Sequence, residues 1–229
     1  MSKFVSIAID GPAGAGKSTM ARACAKALGY LYVDTGAIYR TVGYYMRLMG
    51  IGPKDQDGIR RLIDEVNIDI RYADGVQHMI LNGEDVTGEL RTPEMSMYAS
   101  GVSAQPCVRA FLLDMQRSLA RTHSVVMDGR DIGTVVLPDA GLKIFLSASA
   151  ECRAQRRYRQ LQEKGIEEPY ADVLRALEQR DYDDTHRAVA PLKAAPDAVH
   201  IDTSELTLEQ SIDAVCAAVR TRFGLEAQT

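Results

Sequence analysis

Glycine, lysine and serine stand in one run at a spacing that binds phosphate: Gly11-Pro12-Ala13-Gly14-Ala15-Gly16-Lys17-Ser18 fits GxxxxGK[ST]. Glycines let the backbone turn successive N–H groups inward around an anion, and the N-terminus of a following helix adds its dipole. Lys17 supplies a point charge to the outer phosphates, and the Ser18 hydroxyl is of the type that sits on Mg²⁺. Average residue frequencies produce this pattern by chance in roughly one chain in a hundred of this length, so its surroundings must decide. They agree with it: residues 4–9 form a short apolar run of strand type, and residues 17–28 read as a helix ended by Gly29. Such a loop suits a kinase, a GTPase or an ATPase. No NKxD guanine-reading motif is present, and the run SVVMD continues as Asp128-Gly129-Arg130 rather than the Asp-Glu pair of motor and transporter ATPases.

Further charged groups follow other apolar runs, at the edge where open α/β sheets bind ligands. Asp34-Thr35-Gly36-Ala37-Ile38-Tyr39-Arg40 comes after residues 30–33. Thr35 is expected to cap the next helix, a role compatible with holding an anion at the same terminus. Arg40, one turn in, either reaches that anion or lies on the surface. Asp128-Gly129-Arg130-Asp131 follows residues 124–127, as a site loop or as a charged turn without a ligand. Asp128 either helps to hold a metal's water shell or caps the following segment. Within residues 149–164, Arg153, Arg156 and Arg157 fall within about 100° of one another on a helix, with Arg159 elsewhere. A solvated face and an arginine-bearing lid over phosphates both fit that arrangement. Arg180, Asp184 and Arg187, at i, i+4 and i+7, make either a salt-bridge ladder or three groups facing one ligand.

The elements that must position these residues are short apolar strands alternating with amphipathic helices. Residues 143–146 and 198–201 are further strand-like runs; 38–49 is helical and stopped by Gly50; a last helix starts near Thr207, where Thr207 and Gln210 match a capping box. This rhythm predicts an α/β fold, a parallel sheet flanked by helices. From about 62 to 101 it breaks into short β-like pieces, with Asn82-Gly83 as a strong two-residue hairpin turn, and a small antiparallel β insertion is expected there. The 229 residues suit one large domain carrying an insertion, and 46% hydrophobic with 25% charged residues excludes a disordered or fibrous chain.

No apolar run approaches the ~18 residues of a membrane span, and MSKFVSIAIDGP does not read as a signal peptide. A soluble, cytoplasmic protein is expected. A net charge of −4 and a pI of about 5.6 argue against a broad nucleic-acid-binding surface. Twenty arginines against seven lysines suit bidentate contact with phosphate, or else reflect a GC-rich genome. The four cysteines form no CxxC and the four histidines are scattered, which points away from zinc and towards a reducing compartment.

Taken together, the motifs resemble the bacterial-type cytidylate kinases, a group of nucleoside monophosphate kinases. The resemblance runs over almost the whole length: IAIDGPAGAGKST at 7–19, VDTGAIYR at 33–40, DGRDIGTVVLPDA at 128–140, KIFLSAS at 143–149, QLQEKG at 160–165 and HRAVAPL at 186–192. It implies a P-loop kinase core over 1–61 and 102–229, with a helical lid at about 150–168 and residues 62–101 as the inserted part of a monophosphate-binding domain. It further implies that Gly11 to Thr19 hold ATP with Mg²⁺ at Ser18, and that Thr35, Arg40, Arg130 and Arg187 grip the CMP phosphate. Ser100, Arg109 and Asp131 would read cytosine, Arg180 and Asp184 would contact the sugar, and Arg153 and Arg157 would belong to the lid.

The implied catalytic set is therefore Lys17, Arg130, Arg187, Arg153 and Arg157. The implied reaction transfers the γ-phosphoryl group of ATP to CMP, with dCMP as a second acceptor, in a monomer with no nucleic-acid or membrane partner. Departures from the family pattern are Ser18-Thr19 where many relatives have Gly-Thr, so that either hydroxyl suits the metal, Thr35 for Ser, and His186 for Asn. The rival readings are a kinase for another small acceptor, such as UMP or shikimate, and an ATP-binding regulatory protein that transfers no phosphate.

Overall fold

The structure, a computed structural model, describes residues 4–224. In chain order the first half runs β1 (Ser6–Asp10), α1 (Lys17–Leu28), β2 (Leu31–Asp34), α2 (Thr35–Leu48), α3 (Gln56–Leu62), β3 (Ile68–Ala73), β4 (Val76–Leu81), β5 (Glu84–Asp85), α4 (Pro93–Ser103) and α5 (Pro106–Thr122). The second half runs β6 (Val125–Gly129), β7 (Leu142–Ser147), α6 (Ala150–Glu163), α7 (Tyr170–His186), β8 (Val199–Asp202) and α8 (Leu208–Phe223). A π-helical turn, Ile132–Val136, leads from β6 towards β7.

Five strands form one sheet in the order β2-β6-β1-β7-β8, every pair parallel. Its central strands are covered on both faces, which is why they read as continuous apolar runs rather than alternating ones. On one face Met20 and Cys24 of α1 and Val215 of α8 pack against Ile7, Ile9 and Ile144. On the other, Ile38 of α2, Val102 of α4 and Leu112 of α5 pack against Ala8, Val33 and Met127. The register sets Asp34 beside Asp128, and Asp10 beside Gly129. The carboxyl ends of β1, β2 and β6 therefore finish together and deliver their following loops to one place.

The small second sheet, β3-β4-β5, is antiparallel. Asn82-Gly83 makes its second turn with φ of 49° and 94°, the left-handed pair that a two-residue hairpin requires. Asp74-Gly75 makes the first in the same way, with φ of 51° and 74°. The sheet docks on the exposed edge of β2: the buried Gln77 amide accepts from Asp34 N at 2.8 Å and donates to Asp34 O at 3.2 Å, and the Tyr72 hydroxyl donates to Tyr32 O at 3.2 Å. An edge strand thus has its backbone groups satisfied by side chains. The stretch from about 62 to 101, expected to hold short β-like pieces, ends in a helix, residues 93–103. Thr92 caps that helix by accepting from Met95 N and Pro93 starts it, an N-terminal signature that the β-rich reading passed over.

Helices α6 and α7 close a minor core of Ala154, Leu161 and Val173. The Thr207–Gln210 capping box is formed. Among the described residues no helix is long and apolar enough to cross a membrane.

Candidate functional site

A cleft of about 200 Å³ opens at the carboxyl ends of β1, β2 and β6. One wall is the glycine-rich loop. Gly11, at φ 151°, passes so close to β7 that a Cβ would lie 1.9 Å from Leu146 O, so no other residue fits the loop's first position. Gly16 stands at the N-cap of α1 with φ 90° and offers no side-chain cap. The first-turn N–H groups thus face the loop without a side-chain acceptor, as an anion site requires. Lys17 is buried, its ammonium donating to Pro12 O at 2.6 Å. Burial, aided by the nearby Arg130, pulls its pKa well below the usual lysine value, a state that added phosphate charge would reverse.

Ser18 and Asp128 meet across the loop. The Ser18 hydroxyl donates to one carboxylate oxygen of Asp128 at 2.9 Å, and the Tyr32 hydroxyl donates to the other at 2.9 Å. Asp128 is therefore engaged with the loop hydroxyl rather than capping the segment after it. Burial and then the neighbouring Asp34 push its carboxyl above the usual range. A hydroxyl and a carboxylate sharing one spot are hard oxygen donors of the kind Mg²⁺ takes together with several waters. Thr19 is exposed and does not line the cleft, so of the two hydroxyls Ser18 is the one that faces it.

The helix after β2 is capped by Asp34 and not by Thr35: the Asp34 carboxylate accepts from Ala37 N at 2.8 Å. The hydroxyl of Thr35, one residue into the helix, instead donates to Asp128 O at 2.7 Å and ties α2 to β6. Asp34 also draws in Arg40 at 3.2 Å and Arg91 at 2.7 Å. Arg40 is no surface arginine, its side chain being 13% exposed. The Nε of Arg40 and the Nε of Arg180 are both buried without a hydrogen-bond partner. Two guanidinium N–H groups orphaned in one cleft are what a bound phosphate would satisfy. Burial lowers the pKa of Arg40, and burial with Arg130 nearby lowers that of Arg180 to about 10.

At the far end Asp131 sits between two arginines. Arg109 of α5 donates to one of its oxygens and Arg187 donates to the other at 3.2 Å. Burial raises the Asp131 carboxyl above its usual value against the pull of both arginines. Ser100 of α4 lines the same end, and the Tyr39 ring lies under Arg109 with the guanidinium carbon 5.7 Å from its centroid. Arg187, grouped with the phosphate residues by resemblance, thus stands on Asp131, and it lies just past α7, with Asp183 O accepting from its N–H at 3.1 Å.

The Arg180–Asp184–Arg187 stripe does not form a ladder along the helix. Asp184 accepts from Arg130 Nε at 2.7 Å, an ion pair across the cleft. Burial would raise Asp184, but Arg130, helped by Arg180 and Arg187, outweighs it and holds the carboxyl below its usual range.

The arginine helix divides its residues. Arg153 is buried under the loop, donating to Ala13 O at 3.0 Å and pairing with Asp181 at 2.6 Å. Arg156 donates to Thr203 O at 2.6 Å, and Arg159 is exposed. Arg157 lines an adjoining groove with Arg40, Arg91, Arg153 and Arg180. The remaining loop residues expected to bind ATP divide as well: Ala13 and Gly14 line the cleft, while Gly11, Pro12, Ala15 and Gly16 shape it from behind.

Four residues of this region had no role in the sequence reading: Asp10, Asp34, Gln77 and Arg91. Asp10 and Asp34 both end apolar strand runs, a position that signals a site edge without naming a partner. Gln77 and Arg91 come from the inserted segment, and nothing local in the sequence ties them to β2.

Asp10 is 4% exposed, and its carboxylate accepts from Ile132 N at 2.8 Å and from Gly133 N at 2.7 Å. Burial, only partly offset by these bonds, pushes its pKa to about 6 from 3.8. Because the folded value is the higher one, the folded state gains relative stability as pH falls from about 6 to 4. By linkage that gain is about 3 kcal/mol. Denaturant melts of the protein and of Asp10→Asn at pH 7 and pH 4.5 are expected to show the difference between the two chains shifting towards the unsubstituted one at the lower pH. A difference that does not move with pH rejects the raised value.

Comparison with known proteins agrees with the sequence resemblance. A sequence model described as cytidylate kinase matches residues 7–221. A protein named cytidylate kinase from Caldicellulosiruptor saccharolyticus is 49% identical over 93% of this chain and 94% of its own length. One of the same name from Fervidobacterium nodosum is 48% identical over 94% of this chain and 96% of its own. Among solved structures, an uncharacterized protein from Eubacterium ventriosum aligns with a TM-score of 0.51 at 13% identity, covering 96% of this chain and 99% of that one. At that identity the likeness concerns the fold alone.

Proposed function

The chain belongs to the cytidylate kinase family, and from that premise we propose that it transfers the γ-phosphoryl group of MgATP to CMP, and to dCMP, giving ADP and the diphosphate. One juxtaposition carries the reading. The loop with Lys17, the orphaned Nε groups of Arg40 and Arg180, and the Arg109–Asp131–Arg187 group all face one cleft. A donor loop and an anion grip would serve any phosphate acceptor. A carboxylate held between arginines at the other end serves one that offers an amine.

In this reading Gly11 to Thr19 hold the ATP phosphates, with Lys17 on the outer ones. Mg²⁺, held by Ser18 and through water by Asp128, would neutralise charge on the phosphate oxygens. The nucleophile is an ionised oxygen of the CMP phosphate. It forms a bond to the γ-phosphorus as the bond to the bridging β,γ-oxygen breaks, and ADP departs with those electrons. The attacking oxygen has no proton to lose, so no general base is needed. Catalysis then consists of holding both phosphates in line and matching the charge that spreads over the transferred group.

Arg40 and Arg130 do this from the acceptor side, with Thr35 fixing the helix start beside them and Arg180 and Asp184 reaching the sugar. Arg153 and Arg157 do it from the α6 side. Asp131, with Ser100 and Arg109, accepts from the exocyclic amine of cytosine, and Arg187 steadies that carboxylate. UMP offers a carbonyl there, which sets one acceptor against another in a buried place, and a site of this kind rejects it.

Water competes with CMP for the γ-phosphate. We accordingly take residues 62–101 as part of a monophosphate-binding domain and about 150–168 as a lid, both closing over the core formed by 1–61 and 102–229. We take a monomer as the catalytic unit. Nucleotide substrates and unpaired cysteines suit the cytoplasm. The test is ADP release from MgATP with CMP, dCMP, UMP, AMP, GMP and shikimate as acceptors. Turnover confined to CMP and dCMP is expected. Preference for another acceptor would discard the base-reading assignment and keep the donor loop; ATP binding without turnover on any acceptor would discard transfer altogether.

A further inference from the structure

Asp131 is the last residue before the π-helical turn Ile132–Val136, and that turn is gripped at both ends by side chains that do not line the cleft. At its start the Asp10 carboxylate takes the N–H groups of Ile132 and Gly133, one on each oxygen, at 2.8 and 2.7 Å. At its end Arg117 donates through Nη2 to Val135 O and through Nε to Val136 O, both at 2.9 Å. The turn's own bonds converge between these grips, with Asp131 O accepting from Val135 N at 2.9 Å and from Val136 N at 3.2 Å.

Each grip saturates a two-pronged group. A carboxylate has two oxygens for two N–H groups, and a guanidinium has a fork for two carbonyls. The sequence distances are long: Asp10 ends β1, while Arg117 lies two turns beyond Arg109 on α5. The same helix thus presents Arg109 to the Asp131 side chain and Arg117 to the backbone behind it. A single turn of π-helix, five residues long, is a rare element, and here side chains from β1 and α5 hold its two ends.

We propose that Asp10 and Arg117 are positioning residues for acceptor choice: together they clamp the turn that carries Asp131 and so fix its carboxylate against the base, which sets discrimination between CMP and UMP. The inference rests on the reading of Asp131 given above. Neither residue lines the cleft. Asp10→Asn keeps the size but presents an NH₂ to one of the two backbone donors, and Arg117→Met keeps the buried stem while removing both donors. Misplacement of a reacting or recognising group by about 1 Å can cost ~100-fold.

The experiment measures kcat/KM for CMP and for UMP in the full chain and in Asp10→Asn, Arg117→Met, Arg117→Lys and Asp131→Asn, with thermal melts alongside. The expected result is a CMP/UMP ratio lowered at least about tenfold in Asp10→Asn and Arg117→Met, mainly through KM for CMP, with KM for ATP within about twofold in Arg117→Met. Arg117→Lys, which can still donate to one carbonyl, is expected to retain more of the ratio than Arg117→Met. A purely structural role would lower the melting temperature and leave the ratio alone. That outcome, with Asp131→Asn collapsing the ratio, overturns the clamp and leaves the base-reading role of Asp131 standing. An Asp131→Asn ratio equal to that of the unsubstituted chain overturns both.

Discussion

Lys17→Ala is expected to lower kcat for CMP phosphorylation by about 10³-fold or more while leaving the chain folded. Two opposite effects meet at this residue. Lys17 is 6% exposed, and its ammonium is placed where burial and Arg130 both disfavour the charge. In the nucleotide-free protein it is a cost to stability, and truncation removes a poorly solvated cation rather than a supporting contact. The one hydrogen bond lost is to Pro12 O in the loop itself. In the reacting complex the same charge faces the oxygens over which negative charge spreads, inside a low-dielectric cleft where such contacts are strongest. The activity loss therefore greatly exceeds any stability loss, and the melting temperature is expected to equal or exceed that of the unsubstituted chain. Steady-state ADP release and a thermal melt on the same preparation check both halves. Near-normal turnover would remove the donor loop from the mechanism; a large drop in melting temperature would mean that the lysine holds the loop together.

How much of this was legible in the sequence follows from the range of each interaction. The strands were readable because burial on both faces makes a parallel strand a plain apolar run, as in Val125–Gly129 and Leu142–Ser147. The capping box at Thr207 and the stop at Gly29 were readable because each is settled within a few residues. The same local logic also misled. Thr35 follows the strand and has a capping hydroxyl, yet the chain enters the helix one residue earlier, and Asp34 takes the cap because its carboxylate also gathers Arg40 and Arg91.

The site itself was readable in residue type more than in pairing. Arg130, Asp131, Asp184 and Arg187 were marked as charged groups near strand or helix ends. That Arg130 takes Asp184 and Arg187 takes Asp131 depends on α7 crossing the ends of the sheet, which no spacing along the chain encodes. The Gln77 contact with Asp34 bridges 43 residues and the Asp10 contact with Gly133 bridges 123. Pairs of that separation become visible only once the strand order is known.

Asp131→Asn separates what the carboxylate does for the base from what it does for the arginines. Its oxygens hold Arg109 and Arg187, whose side chains are 9% and 6% exposed, so removing the charge strands two buried cations. Losing one partner of such a pair destabilises by about 3–5 kcal/mol, and a lower melting temperature is expected whatever the residue does in recognition. The specificity effect has a different signature. A carboxylate only accepts, and so suits the cytosine amine. An asparagine amide both accepts and donates, and its NH₂ can serve the uracil carbonyl at that position. Asp131→Asn is therefore expected to lower kcat/KM for CMP and raise it for UMP, collapsing their ratio by about 10³-fold, at a temperature where the variant remains folded. Asp131→Ala, which offers nothing to either base, is expected to lose CMP activity without gaining UMP activity. Equal losses on CMP and UMP in both variants would assign Asp131 to holding the arginines alone, and cytosine would then have to be read by Ser100 and Arg109 without it.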